Sequence, residues 1–286
     1  TYILSLGSIY KTLVSNSIAL NLSRYLKYNL ETLNQQISNL QFSLVWEKVV
    51  LNPEVISRTS ATAFRINNLL YFGCGYGDGG TLADFYSLDL NSNILSELTP
   101  FPGGPEEHLI SFAIDGLGYV GGGTNSFSLG FWEYNPNTDS WVQKEDLPAH
   151  PSHDAIGFSI QDKGYIITPT RDENTNLLGG DLYEYSKETD TWASKAKYPG
   201  GGNYPTYCVI SENIYVGIGG EKKTFWKYSQ NDDSWSQLLD FPGTAWRLTN
   251  SFAIGSNIFV IQVGIAIMKF GNIAPHKTVG KDTKLI

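Results

Sequence analysis

One spacing constrains this chain more than any bulk property: an aromatic residue answered seven positions later by tryptophan. FWEYNPNTDSW at 131–141 returns as LYEYSKETDTW at 182–192 and FWKYSQNDDSW at 225–235, and more faintly as FYSLDLNSNIL at 85–95. Tyr134, Tyr185 and Tyr228 lead Trp141, Trp192 and Trp235 by this interval, and Leu88 leads Leu95 by the same one. Upstream of each copy, alternating apolar and polar residues, a polar turn and a β-branched or aromatic run form a hairpin signal. Aligned on Phe64, Phe112, Phe158, Tyr207 and Phe252, these hairpins step by 48, 46, 49 and 45 residues. Two hairpins per period of this size make one four-stranded propeller blade.

The termini carry worn copies. TYILSLGSIYKTL at 1–13 aligns with TYCVISENIYVGI at 206–218, and YLKYNLET at 25–32 with FWEYNPNT. The next outer-strand tryptophan is then Trp46, which makes 29–45 an insertion, a loop or short helix. At the other end Ile267 to Phe270 stand where Phe225 to Tyr228 do, but the tryptophan position falls on Lys277. The reading is one all-β domain over 1–286, a six-bladed propeller of four-stranded antiparallel blades at about 1–56, 57–104, 105–150, 151–199, 200–243 and 244–286, with the terminal blades degenerate. An isolated repeat would leave both sheet faces bare, so the paired aromatics, such as Trp132 with Tyr134, are expected in the core between blades. The glycines after the second strand, Gly73, Gly75, Gly121 to Gly123, Gly217, Gly219 and Gly220, are expected to permit close sheet packing near the axis.

Composition agrees with many short strands: 29 Gly, 17 Tyr, 14 Phe and 7 Trp against a single Met. The net charge of −8 and a pI near 5.0 argue against nucleic-acid binding. No apolar run reaches membrane-span length. Cys74 and Cys208 sit in apolar strand segments and read as buried small hydrophobes, too few for a disulfide framework or a thiolate metal site. The chain starts at Thr1 without Met or a charged-then-apolar leader, and this start decides nothing about a targeting segment, which could have been removed or not included.

The glycines closing the second strand, the aromatic on the third and the tryptophan on the fourth together resemble kelch repeats. The wording of PFPGGPEEHLISFAIDGLGYVGGG at 100–123 is similar to kelch proteins exported or lipid-anchored by Bacteroidetes-type bacteria, and more distantly to N-acetylneuraminate mutarotases. The resemblance covers about 57–263 and implies a kelch-type β-propeller. It departs from the pattern at IITPT (166–170), where glycines are expected, and at Leu95, where a tryptophan is. Such folds host unrelated activities, so the resemblance implies a range of roles. The copper chemistry of galactose oxidase is disfavoured, because it needs a Tyr-Tyr-His-His set with a thioether-forming Cys. No cofactor and no metal are expected.

In such propellers the ligand-competent face is built from loops leading into the innermost strands and from loops between strands two and three. Those loops carry Arg58, Tyr76, Glu106, His108, Asp154, Arg171, Tyr204, Trp246 and Arg247, a polar and partly aromatic ring suited to sugars or a partner's loop. Arg58 and Arg247 could each clamp a carboxylate or serve an inter-blade ion pair. The function expected is a non-catalytic binding module for a glycan or partner protein at the axial face, outside the cytoplasm. Any membrane association would run through a complex or a removed lipid anchor. The alternative is a sugar-acid mutarotase in which Glu107, His153 and Arg247 do acid/base and carboxylate work.

Overall fold

The computed structural model describes residues 55–124, 128–171, 178–201, 204–220, 222–242, 250–262 and 265–270. All belong to the unit Val50–Ile286, the second of the two into which the chain divides. The expected first blade, the 29–45 insertion and the C-terminal tail lie outside the described residues, apart from the last two positions of that blade.

The first described repeat contributes β1 (Arg58–Thr59), β2 (Thr62–Ile66), β3 (Leu69–Gly73), β4 (Tyr76–Gly77), β5 (Gly80–Thr81), β6 (Phe85–Asp89) and β7 (Leu95–Leu98). The second has β8 (Leu109–Ile114), β9 (Leu117–Gly122), β10 (Phe131–Asn135) and β11 (Ser140–Lys144). The third has β12 (Ile156–Ile160), β13 (Lys163–Arg171), β14 (Leu178–Ser186) and β15 (Thr191–Ser194). The fourth has β16 (Thr206–Ile210), β17 (Asn213–Gly217), β18 (Phe225–Ser229) and β19 (Ser234–Gln237). The last has β20 (Asn250–Ile254), β21 (Asn257–Gln262) and β22 (Ile265–Phe270).

Four of the repeats are four-stranded antiparallel meanders: β2-β3-β6-β7, β8-β9-β10-β11, β12-β13-β14-β15 and β16-β17-β18-β19. The last shows three strands among the described residues, and β1, β4 and β5 add a small sheet the sequence did not announce. The innermost strands β2, β8, β12, β16 and β20 adjoin one another in chain order. This is the all-β, kelch-type propeller architecture, and we refer to the five repeats as blades 2 to 6.

The core lies between blades, because each sheet has two faces to cover. Phe64, Tyr71, Phe85 and Phe101 of blade 2 meet Val120 and Tyr134 of blade 3, with Trp132 packed alongside. Phe112, Tyr119 and Phe131 meet Ile166 and Tyr185, and Phe158, Tyr165 and Leu182 meet Ile214 and Tyr228. Cys208, Tyr215 and Phe225 meet Ile258 and Val260. Both cysteines are free and buried; burial first, with Asp84 second for Cys74, pushes their thiols up to about 12 and about 11.

Register corrects one alignment. Phe64, Phe112, Phe158 and Phe252 pair with Tyr71, Tyr119, Tyr165 and Phe259, but the residue pairing with Tyr215 is Cys208, not Tyr207. A one-residue offset reverses the sheet face. Tyr207 accordingly points back to blade 4, where its hydroxyl donates to Gly157 O at 2.8 Å and its ring lies 5.9 Å from that of Phe158.

The second-strand glycines make room for the main chain entering the third strand and for the phenylalanine that follows. A Cβ on Gly73, Gly121 or Gly217 would meet the main-chain oxygen of Asp84, Gly130 or Thr224 first, and would stand 2.5, 2.9 or 2.7 Å from Cδ2 of Phe85, Phe131 or Phe225. Blade 4 solves the same space differently: Ile167 faces Leu182 there, moving bulk from the third strand to the second. That exchange explains IITPT, and β13 and β14 then pair through Arg171 and Leu178 without a glycine break.

The recurrent tyrosine and tryptophan act with an aspartate between them. Tyr134, Tyr185 and Tyr228 donate to Asp139, Asp190 and Asp233 at 2.8, 2.7 and 2.8 Å. Each aspartate accepts an amide from the preceding blade, Thr99 at 3.0, Glu145 at 3.1 and Ala196 at 2.9 Å. The carbonyls of those same residues accept Nε1–H of Trp141, Trp192 and Trp235 at 3.0, 3.2 and 2.8 Å. The three aspartates hold left-handed backbone, with φ of 46°, 52° and 44°. In blade 2 the set reads Leu88, Asn93 and Leu95, with Asn93 still left-handed at 58°.

Two outcomes follow from this packing. Burial works to raise Asp139, Asp190 and Asp233, but the amide and tyrosine hydrogen bonds prevail and hold all three below the ordinary carboxylate value. Their contribution to stability is therefore present above the unfolded value of about 4 and is lost as pH falls through the lower folded values. Urea melts from pH 6 to pH 3 should show a midpoint falling with acid, and falling less steeply in the triple Asp→Asn variant. Separately, Gly217→Ala should cost about 1–3 kcal/mol by overpacking, and adding Phe225→Leu should restore only a minor share in a double-mutant cycle, because the main-chain contacts with Thr224 O and the Phe225 Cα remain.

Candidate functional site

Each inner strand starts, and each second strand ends, at the same end of its blade, so the lead-in loops and the loops between strands two and three share one axial end. Four residues before the register position of Phe64, Phe112, Phe158 and Cys208 stand Ser60, His108, Asp154 and Tyr204. Ser60, His108 and Tyr204 are left-handed, with φ of 54°, 56° and 53°. Such backbone is uncommon for side chains as bulky as tyrosine, and it turns these residues sharply just before the chain enters the sheet.

Two of the turned residues, His108 and Tyr204, form an arc with His153 across three blades. The rings of His108 and His153 are 5.8 Å apart at 61°, and those of His153 and Tyr204 are 5.6 Å apart at 36°. Each imidazole has a carboxylate from its neighbour in sequence: Glu107 Oε2 lies 3.9 Å from His108 Nε2, and Asp154 Oδ2 lies 3.9 Å from His153 Nε2. His153 is half exposed, with 52% of its side chain accessible, whereas Asp154 beneath it retains 13%. Neighbouring blades are tied here through main chain, His108 N–H to Ser60 O at 3.1 Å and Gly75 N–H to Glu106 O at 2.7 Å. A cleft of about 390 Å³ between blades 5 and 6, lined by Pro205, Thr206, Tyr207, Cys208, Asn250 and Ser251, adjoins Tyr204 in sequence. Its walls are joined by a hydrogen bond from Thr206 to Ser251 at 2.8 Å.

The remaining sequence-nominated residues fall into three groups. Glu106 is buried, its carboxylate against the Cα of Gly123, whose φ of 110° and missing Cβ leave that space open. Tyr76 is half exposed on β4 and paired with Thr59 and Thr81. Arg171 ends β13 opposite Leu178, its side chain outside the description, and Trp246 and Arg247 lie outside the described residues.

Arg58 takes the ion-pair option, and it does so inside its own blade instead of between blades. Its guanidinium meets Asp84 in a fork of 2.5 and 2.7 Å, donates to Cys74 O at 3.0 Å and lies 5.8 Å from the Tyr86 ring centroid. The hydrogen bond to Asp84 raises its pKa further above the ordinary arginine value, and only 6% of the side chain is accessible. Asp84, which sequence reasoning missed, precedes Phe85 at a position held by Gly130, Asp181 and Thr224 in the following blades. An acidic residue there, in the one repeat that also carries Arg58, was the available signal. A fork of this kind is spoken for: Arg58→Lys should lower stability by about 3 kcal/mol, since an ammonium cannot reproduce it and leaves Asp84 poorly paired, and thermal denaturation should register the loss.

No protein-family model matches the sequence. The chain is 23% identical over 282 residues to the N-acetylneuraminate epimerase of Haemophilus influenzae strain 86-028NP, an alignment covering 77% of this chain and 73% of that protein. It is 32% identical over 142 residues to the N-acetylneuraminate epimerase of Shigella sonnei, covering 46% of this chain and 37% of the relative. With its namesake from Escherichia coli O1:K1 it is 31% identical over 179 residues, covering 56% and 45%. The chain thus spans less than half the length of the Shigella and Escherichia relatives in these alignments. Among solved structures, that of YjhT aligns at a TM-score of 0.61 with 19% identity over 74% of each chain, a likeness of fold.

Proposed function

We propose that the axial end of the propeller binds a sugar acid of the N-acetylneuraminate class and speeds the interconversion of its anomers. The observation that carries this reading is the His108–His153–Tyr204 arc with Glu107 and Asp154 at its two imidazoles. The names of the relatives, which share up to about a third of aligned residues, supply the substrate class.

Anomer exchange needs little machinery. A base takes the proton from the anomeric hydroxyl while an acid delivers one to the ring oxygen. The bond between the anomeric carbon and the ring oxygen breaks, leaving the open keto form, and closure on the other carbonyl face returns both protons. An imidazole can serve either end near neutral pH, and a carboxylate beside it steadies the charged form. His153, exposed on the rim, and Glu107 on the adjacent blade are the pair we assign to proton transfer. The Tyr204 ring offers an edge or face to the pyranose. The carboxylate of the sugar needs a cation other than Arg58, whose fork is filled by Asp84.

The openness of the rim at His153 favours a second reading, a glycan- or protein-binding module without turnover, acting outside the cytoplasm. One experiment separates the two. Proton NMR exchange spectroscopy on N-acetylneuraminate, with and without the protein, should show faster anomer exchange, reduced about 100-fold or more in His153→Ala and Glu107→Gln. Sugar binding with no change in exchange rate would sustain the binding module and end the enzyme reading.

A further inference from the structure

We propose that Asp154 is the positioning residue of this site: its carboxylate crosses from blade 4 to blade 5 and holds the Tyr204 ring against His153. The repeat makes the substitution of parts visible. At the equivalent junction between blades 2 and 3, the amide of the left-handed His108 is taken by the main-chain oxygen of Ser60 at 3.1 Å. Between blades 4 and 5 the amide of the left-handed Tyr204 is taken by Asp154 Oδ1 at 3.0 Å. Ser60 and Asp154 occupy the same register position, but Asp154 lacks the left-handed turn of Ser60 and offers its side chain in place of its carbonyl.

A tyrosine at positive φ persists only where its surroundings over-determine it. A charge-assisted bond to its amide is a strong restraint of that kind, about twice a neutral one. The same carboxylate turns its other oxygen to His153 Nε2 at 3.9 Å, beyond hydrogen-bond length but within Coulombic reach, so one group addresses both partners of the ring contact. With 13% of its side chain accessible beneath a half-exposed imidazole, Asp154 acts through the ring pair and does not touch the sugar.

The first arm of the test needs no ligand. In the full-length protein, the His153 imidazole proton resonances should carry a ring-current shift that Tyr204→Ala removes. Asp154→Asn, whose amide oxygen can accept the same N–H, should keep most of this shift, and Asp154→Ala should lose at least half of it. Should the alanine variant not fold, Asp154→Ser, whose hydroxyl cannot reach the amide, takes its place. An unchanged shift in Asp154→Ala, or in Asp154→Ser, would overturn the proposal. The second arm rests on the sugar-acid reading: Asp154→Ala should lower kcat/KM for anomer exchange about tenfold to 100-fold, with Asp154→Asn close to wild type. If the shift responds as stated while wild-type protein leaves exchange untouched, the positioning role stands and the sugar-acid reading falls.

Discussion

The junction between blades depends on a three-part clasp in which tyrosine, aspartate and tryptophan of one blade seize both the amide and the carbonyl of a single residue in the blade before it. Without it the outer edges of neighbouring sheets would meet mainly through apolar side chains, which are non-directional and tolerate sliding. The aspartate is the pivot. Its left-handed backbone aims the carboxylate across the gap, its charge strengthens both the amide and the tyrosine hydrogen bonds, and the tyrosine ring extends the same contact into the core. Lys144 and Lys195 add a looser tie, lying within 4 Å of carboxylates on both sides of their junctions. Orientation between blades is thereby fixed at the periphery, and the axial loops inherit their spacing from it.

At the axial end, the sheets supply position and the loops supply chemistry. His108, Asp154 and Tyr204 share a register position, so three dissimilar side chains arrive at comparable heights on successive blades. His153, one residue earlier, bridges the rings on either side. Turned backbone at His108 and Tyr204 is affordable because the strands that follow are locked by full ladders of pairing. The general lesson is that a rigid repeat lets a few adjacent loop residues build a site that no single blade contains.

Much of this was legible in the sequence, because the clasp and the hairpins have fixed spacings. Strand order, the core role of Trp132 and Tyr134 and the burial of both cysteines follow from alternation and period. The axial sector of Glu107, His108, His153 and Asp154 was legible too, since it needed only a count back from the inner strands. Tyr207 shows where counting fails: a tyrosine looks more like phenylalanine than a cysteine does, yet the pleat assigns the position to Cys208, and this shift brings Tyr204 into line with His108. Arg58 shows another limit. Its partner, Asp84, is 26 residues away beyond the strands β2 to β5, and no periodic rule links them.

The clasp addresses main-chain atoms on its far side, and this has a consequence for descent. Glu145 and Ala196 are grasped through N–H and C=O, and Thr99 in the same way with its hydroxyl added as a further donor to Asp139, so any amino acid but proline would satisfy the main-chain part of the grip. Adjoining repeats consequently need no matched mutations to remain joined at that edge. Duplicating a unit, or drifting far in wording while keeping the geometry, becomes accessible to such a lineage.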